Sequence, residues 1–414
     1  MTEFLTLKSV DEINRLIAEF DVLPPETVAL EDSLGRVLAE AFTAPEDLPG
    51  FARSTMDGFA VAAKSVFGAS EGSPALLDYV GECPMGQAPA LTIAPGQTAR
   101  IWTGGMLPQG ADAVVMLEYS RSAGESRVEL TRPAAPLENV ITADEDAAAG
   151  EELIPAARTL RAQELGLLAA LGQRTVTVRR RPRVAVISTG DEIVPLTASP
   201  RPGQVRDINS HTLTALAITA GAEARSLGIA GDDPDDMRAM VLTALDWADV
   251  VLLSGGSSAG RRDFTVKVFD SIDEAEILAH GVAISPGKPL IMARRGGRQS
   301  LWGLPGHAAS ALVCAEVFIR PLLRRLVGQT YREQWAYGLR AILTRPVASA
   351  QGRRDYIRVH LTESGDPDIP LSATPVPGKS GLITTLVQAE ALVVCPENVE
   401  GLDAGQVVAV YLTL

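Results

Sequence analysis

At 414 residues the chain is too long for one ordinary hydrophobic core, and its length predicts roughly two to four domains. Apolar side chains make up 46%, ample for real cores, while 37 basic residues against 51 acidic ones leave a net charge of −14, which argues against nucleic acid or an anionic membrane surface as the main partner. Cys83, Cys314 and Cys395 are odd in number and far apart, and His211, His280, His307 and His360 lie at no metal-ligand spacing, so neither a disulfide framework nor a thiolate zinc site is expected.

In chain order, Met1 to Lys8 lacks a basic stretch leading into an apolar one, and no run approaches the length of a membrane span; a cytoplasmic protein with no membrane partner is expected. Residues 9–21 read as an amphipathic helix, with Ser9 as cap and Val10, Ile13, Ile17 and Phe20 at helical spacing. A Pro- and Gly-rich stretch with short β-like runs follows, at 98–102, 113–116 and 127–130, and predicts a modest β domain. Helical periodicity returns at 162–171, a strand at 174–178, and the basic run Arg179-Arg-Arg-Pro-Arg183 reads as a solvated linker at a boundary. From Val184 to about Leu326 strands alternate with helices at 208–220, 234–247 and 309–326, which predicts a largely parallel three-layer α/β sheet. Short β-like runs beyond Gly328 predict a small terminal β domain. The expected domains are 1–45 with 147–181 (α+β), 46–146 (β), 182–328 (α/β) and 329–414 (β).

Chemistry concentrates where apolar strands end. Asp249-Val-Val-Leu-Leu253 runs into Ser254-Gly-Gly-Ser-Ser-Ala-Gly260, whose glycines let backbone N–H groups approach an anion without a Cβ in the way. Arg183-Val-Ala-Val-Ile-Ser188 empties into Thr189-Gly-Asp-Glu192, Ser285-Pro-Gly-Lys288 precedes another strand, and Leu301-Trp-Gly-Leu304 runs into Pro305-Gly-His307. Loops at strand ends of an open sheet converge on one crevice, so these segments are expected to build a single phosphate- or oxyanion-type site.

Several blocks together resemble the molybdopterin molybdenumtransferases, MoeA in bacteria and the E domain of gephyrin. They are Ser54-Thr-Met-Asp-Gly-Phe-Ala-Val61, Thr103-Gly-Gly-Met-Leu-Pro-Gln-Gly-Ala-Asp-Ala-Val-Val115, Glu145-Asp146, Ser188-Thr-Gly-Asp-Glu192, Gly203-Gln-Val-Arg-Asp-Ile-Asn209, Asp232-Asp-Pro234, Ser254-Gly-Gly256 with Asp263, Pro286-Gly-Lys-Pro289 and Gly303-Leu-Pro-Gly306. They stand in the family's order across nearly the whole chain. The resemblance implies a homodimer of four-domain subunits whose third domain has a MogA-like fold. The implied reaction converts adenylylated molybdopterin and molybdate into molybdenum cofactor and AMP with Mg2+, and the upstream MogA-like adenylyltransferase is a possible partner.

Residue by residue, the resemblance implies Asp57, Thr103, Asp146, Glu192, Asp232 and Asp263 as catalytic, with Glu192, Asp232 and Asp263 holding the metal, and the first three completing the pocket of the other subunit. It implies Ser188, Gly190, Ser254, Gly255, Gly256, Ser257, Pro286, Lys288, Pro305, Gly306, Arg358 and Ser380 as substrate-binding. By themselves Asp57 reads as a turn residue before Gly58, Asp146 as an Asx turn, Asp232 as a cap beside Pro234, Arg358 as an exposed strand residue and Ser380 as a turn serine.

The pattern also departs from the family. Ser285 and His280-Gly281 stand where lysines are usual, with Arg261 and Arg262 as possible replacements, and His307 follows Gly306 as a capping or packing imidazole or a ligand contact. Tungstate in place of molybdate, or a non-catalytic molybdopterin binder, are the alternative readings.

Overall fold

The computed structural model describes residues 7–255, 259–329 and 338–413, and the side chains of 259–263 lie outside that description. The chain divides into two compact units, one made of 40–156 with 162–174 and the other of 1–39, 157–161 and 175–414.

The larger unit is built on a six-stranded sheet in the spatial order Glu223–Ala230, Arg183–Thr189, Val250–Ser254, Gln299–Leu304, Ile291–Arg295, Ala275–His280. The first four strands run parallel, the fifth runs antiparallel to them and the sixth antiparallel to the fifth, so the parallel sheet expected from sequence carries an antiparallel extension. Successive side chains of a strand face opposite sides, and both sides are covered. Val184, Val186, Val250 and Leu252 pack with the helix Asn209–Thr219 and the helices after residue 307. Ala185, Ile187, Val251 and Leu253 pack under the helix Pro234–Leu245 and under Val268 and Phe269. Three layers result. The N-terminal helix Val10–Ala18 adds Val10, Ile13 and Ile17 to the first of these cores. It starts at a capping box, with the Ser9 hydroxyl accepting from the Glu12 N–H at 3.2 Å and the Ser9 N–H donating to the Glu12 carboxylate at 2.7 Å.

The basic run is not a linker. Arg179 closes the strand Thr175–Arg179, which pairs with Pro25–Ala29, and its guanidinium donates to the carbonyls of Leu23 and Ala39. Arg180 forms two bonds to the Asp249 carboxylate at 2.7 and 3.1 Å, and the Arg183 N–H donates to the same group. Charge runs are usually solvated, but a carboxylate and free carbonyls within reach turn this one into a clasp.

In the same unit, strands Arg354–Glu363, Leu371–Pro375, Leu339–Leu343, Val407–Leu412 and Ala391–Cys395 pair in succession, and the last pairs back to the first. The ring encloses Ala341, Val359, Ala373, Val393 and Val410. Closure leaves no free edge within the ring itself. Ile284–Ser285 adds alongside Arg354–Asp355 and thereby anchors the Pro-Gly-Lys loop to this small barrel.

The smaller unit holds a six-stranded sheet ordered Ala113–Met116, Gly58–Val61, Gln97–Ile101, Ala75–Glu82, Arg127–Leu130, Ser120–Ser122. Phe59 and Val61 face one core, Ala60 and Ile101 the other. Gly58 is obligatory, because a Cβ there would lie 2.1 Å from the Val115 carbonyl oxygen. Among the described residues no helix is long and apolar enough to cross a membrane.

Candidate active site

The connection from Arg183–Thr189 leads to the neighbour on one side, Glu223–Ala230, and the next leads to the neighbour on the other side, Val250–Ser254. That reversal opens a crevice at the carboxyl ends of Arg183–Thr189 and Val250–Ser254, where Ser188, Gly190, Ser254 and Gly255 stand. Ser188 and Ser254 are buried and internally bonded. The Ser188 hydroxyl donates to Asp207 at 2.8 Å, and the Ser254 oxygen accepts from Asn209, whose amide also donates to the Gly306 carbonyl at 2.8 Å. Asn209 thus locks two strand-end loops together from the start of a helix. Gly255 has φ +153°, and a Cβ there would lie 2.1 Å from the Thr189 hydroxyl.

At the rim, Asp191 and Asp232 exchange backbone-to-carboxylate bonds at 3.1 and 3.4 Å, and the Glu192 carboxylate lies against the Cα of Gly190, where a Cβ would be 2.8 Å from it. Asp233, not Asp232, caps the helix Pro234–Leu245, which leaves Asp232 on the crevice loop. Asp191, Glu192 and Asp232 are hard oxygen donors on adjacent loops, the donor chemistry that suits a magnesium ion. Among the described residues no three such groups lie close enough to hold a metal. Gly256 and Ser257 lie outside the described residues, as do the side chains of Asp263, Arg261 and Arg262.

The Pro-Gly-Lys loop opens on a cavity of about 750 Å³ beside the barrel. Pro286, Lys288, Pro305, Arg358 and Ser380 all line it, together with Ser285 and His307. His280 does not line it. Arg358 donates to the Thr385 hydroxyl at 2.6 Å and the Gly378 carbonyl at 2.8 Å, and burial holds its pKa below the usual guanidinium value without neutralising it. His307 stands at the cap position of the helix Ala308–Cys314 but makes no side-chain cap; its Nδ1 meets the Ser380 hydroxyl at 2.8 Å. The Ala309 N–H donates to the Ser380 carbonyl at 3.0 Å, so the 378–381 turn is fastened to the start of that helix. Lys288 is exposed on the loop. Among the described residues, only the turn 305–307 belongs to both groupings, because Gly306 faces Asn209 while Pro305 and His307 line the cavity; the single expected crevice is two neighbouring places.

In the smaller unit the Asp57 carboxylate accepts from the Thr103 N–H at 2.8 Å and the Thr103 hydroxyl at 2.7 Å. These two bonds, backbone first, hold the Asp57 pKa below its ordinary value of 3.8. Two residues singled out separately in the sequence are one hydrogen-bonded pair. Asp146 is exposed on a turn whose N–H donates to the Leu48 carbonyl. Asp191, Asn209, Asp207 and Arg353 were missed as individual residues. The first three lie inside the recognised blocks, whereas Arg353, paired with Asp355 at 2.8 Å in the cavity wall, has no local sequence signal.

Family models cover almost the whole chain. The MoeA N-terminal region (domain I and II) matches residues 8–172, a probable molybdopterin binding domain residues 185–325, and the MoeA C-terminal region (domain IV) residues 340–413. The molybdopterin molybdenumtransferase of Bacillus subtilis is 33% identical over 420 residues, spanning 100% of this chain and 95% of its own length. Molybdopterin molybdenumtransferase 2 of Mycobacterium tuberculosis is 34% identical over 412 residues, with 98% and 99% spanned. Two solved structures of the molybdopterin biosynthesis MoeA protein from Pyrococcus horikoshii match with TM-scores of 0.83 and 0.84 at 35% and 27% identity, covering 98% and 99% of this chain and 99% and 100% of those chains. With this agreement running the length of the sequence and of the fold, the chain belongs to the molybdopterin molybdenumtransferase (MoeA) family of molybdenum cofactor biosynthesis.

Proposed function

We propose that the protein transfers molybdenum into adenylylated molybdopterin, taking molybdate as substrate and releasing AMP, and that it does so as a homodimer. The observation that carries this reading is the cavity by the Pro-Gly-Lys loop, where residues from 285 to 380 meet with two cations, Lys288 and Arg358, that form no ion pair among the described residues. A flexible ammonium beside a glycine and a guanidinium fixed from behind are suited to receive and orient an oxyanion. Arg353 contributes less, since Asp355 answers its charge. Cleaving a phosphoanhydride builds charge on the departing phosphate, and a magnesium ion held by Glu192, Asp232 and Asp263 would neutralise it. The buried bonds of Asn209 and Asp207 keep the loops that present these groups in one arrangement, so little reorganisation accompanies the reaction.

In vitro synthesis tests the reading directly. Purified protein, adenylylated molybdopterin, molybdate and magnesium should yield active cofactor and stoichiometric AMP, with Lys288→Ala and Arg358→Ala reduced roughly ten-fold or more, as expected for a lost charged hydrogen bond. No AMP release would overturn it. Replacing molybdate by tungstate separates the two metal oxyanions.

A further inference from the structure

A second cavity, of about 510 Å³, lies in the larger unit and is lined by five arginines: Arg36, Arg179, Arg181, Arg320 and Arg324. In a protein whose net charge is −14 this is a concentration of the minority sign. Two carboxylates answer it. Glu26 pairs with Arg36, and Glu316 grips the buried Arg320 through two bonds at 2.7 and 3.0 Å. Arg179 spends its guanidinium on the carbonyls of Leu23 and Ala39 and keeps its charge. Arg181 and Arg324 form no ion pair with any carboxylate among the described residues, and both are exposed at the mouth. Among the described residues, five cations against two anions leave a surplus of three. The C-terminal ends of two helices, at Gly221 and Val327, border the cavity, and their carbonyls offset part of that surplus. Arg324 registers the crowding: partial burial first, then the neighbouring charge of Arg320, pulls its pKa down.

We infer that this cavity binds a phosphate group of a small molecule, away from the cavity proposed for the reaction. Guanidinium forks match phosphate oxygens two at a time, Gln329 and Thr159 supply neutral polar lining, and the volume suits an organic phosphate as well as the free ion. The surplus charge is what separates this cavity from a structural ion-pair network, in which cations and carboxylates would balance.

The test titrates full-length wild-type protein by calorimetry with inorganic phosphate and with ribose 5-phosphate at low salt; comparing the two distinguishes the free ion from a phosphate ester. The same titrations follow on Arg181→Gln/Arg324→Gln and on Lys288→Ala, with circular dichroism confirming that each variant is folded. Saturable binding is expected to persist in Lys288→Ala, which takes a cation from the first cavity, and to be ten-fold or more weaker in the double variant. No saturable binding to wild type, full affinity in the double variant, or loss in Lys288→Ala alone would each overturn the inference. The outcome is independent of cofactor synthesis.

Discussion

Asp57 and Thr103 show how much a single carboxylate can organise. Its acceptor oxygen takes both donors of one threonine, which fixes the Thr103-Gly104-Gly105 turn relative to the strand beginning at Gly58. A carboxylate whose pKa is depressed by folding adds stability that is present above its unfolded value and is lost as pH falls through the lower folded value. The link therefore holds at neutral pH and weakens only below pH 3.8. Thr103→Val removes the hydroxyl but keeps the N–H, so the Asp57 pKa should rise part of the way back toward 3.8; carboxyl NMR titration reads it, and an unchanged value would refute this account. Gly287 is a second such residue. Its φ is +124°, and a Cβ would fall 2.6 Å from the Cys314 sulfur and 2.7 Å from Ile284 Cδ1. Gly287→Ala should cost roughly 1–3 kcal/mol by overpacking, more with the backbone strain, and Cys314→Ala in the same chain should recover part of it in urea unfolding.

The helical run after residue 307 illustrates an element whose irregularity has a cause. It begins as α-helix at Ala308–Cys314, passes through a π segment at Ala315–Ile319 and resumes as Arg320–Leu326. Pro321 lacks an N–H and its ring crowds the preceding turn, and a widened turn accommodates it. The same stretch carries the buried Glu316–Arg320 pair. Glu316→Ala takes the two bonds at 2.7 and 3.0 Å from the buried Arg320 and should cost about 3–5 kcal/mol, whereas Glu316→Leu with Arg320→Leu should recover most of it. Thermal and urea unfolding of the two variants measure the difference; equal losses would show that the pair is not the source.

At the scale of the molecule, the expected catalytic residues divide between the compact units, with Asp57, Thr103 and Asp146 in one and Glu192, Asp232 and Asp263 in the other. The proposed homodimer, in which one subunit completes its partner's pocket, predicts complementation. Asp57→Ala and Asp232→Ala should each be inactive alone, and their mixed dimer should regain partial activity because one composite pocket is intact. Light scattering that reports a monomer, or no recovery on co-expression, would count against the proposal.

Periodicity and punctuation were enough for most elements. Alternating apolar runs of strand length, the Ser9 cap and Pro234 marked strands and helices near their observed limits, because these signals are local and the backbone obeys them locally. The block resemblance gave the family and named Pro286, Lys288, Pro305, Arg358 and Ser380 among the cavity residues. The clasp of Arg179 and Arg180 escaped the sequence, since whether a guanidinium is solvated depends on Asp249 and on carbonyls that arrive only after folding. The same holds for the Asp57–Thr103 bond, the locking of two loops by Asn209, the parting of the Pro-Gly-Lys loop from the strand-end crevice by the barrel, and the gathering of five arginines around one cavity. Each depends on which distant residues the chain brings within about 3 Å, a hydrogen-bonding distance, and that is decided by packing rather than by any local pattern.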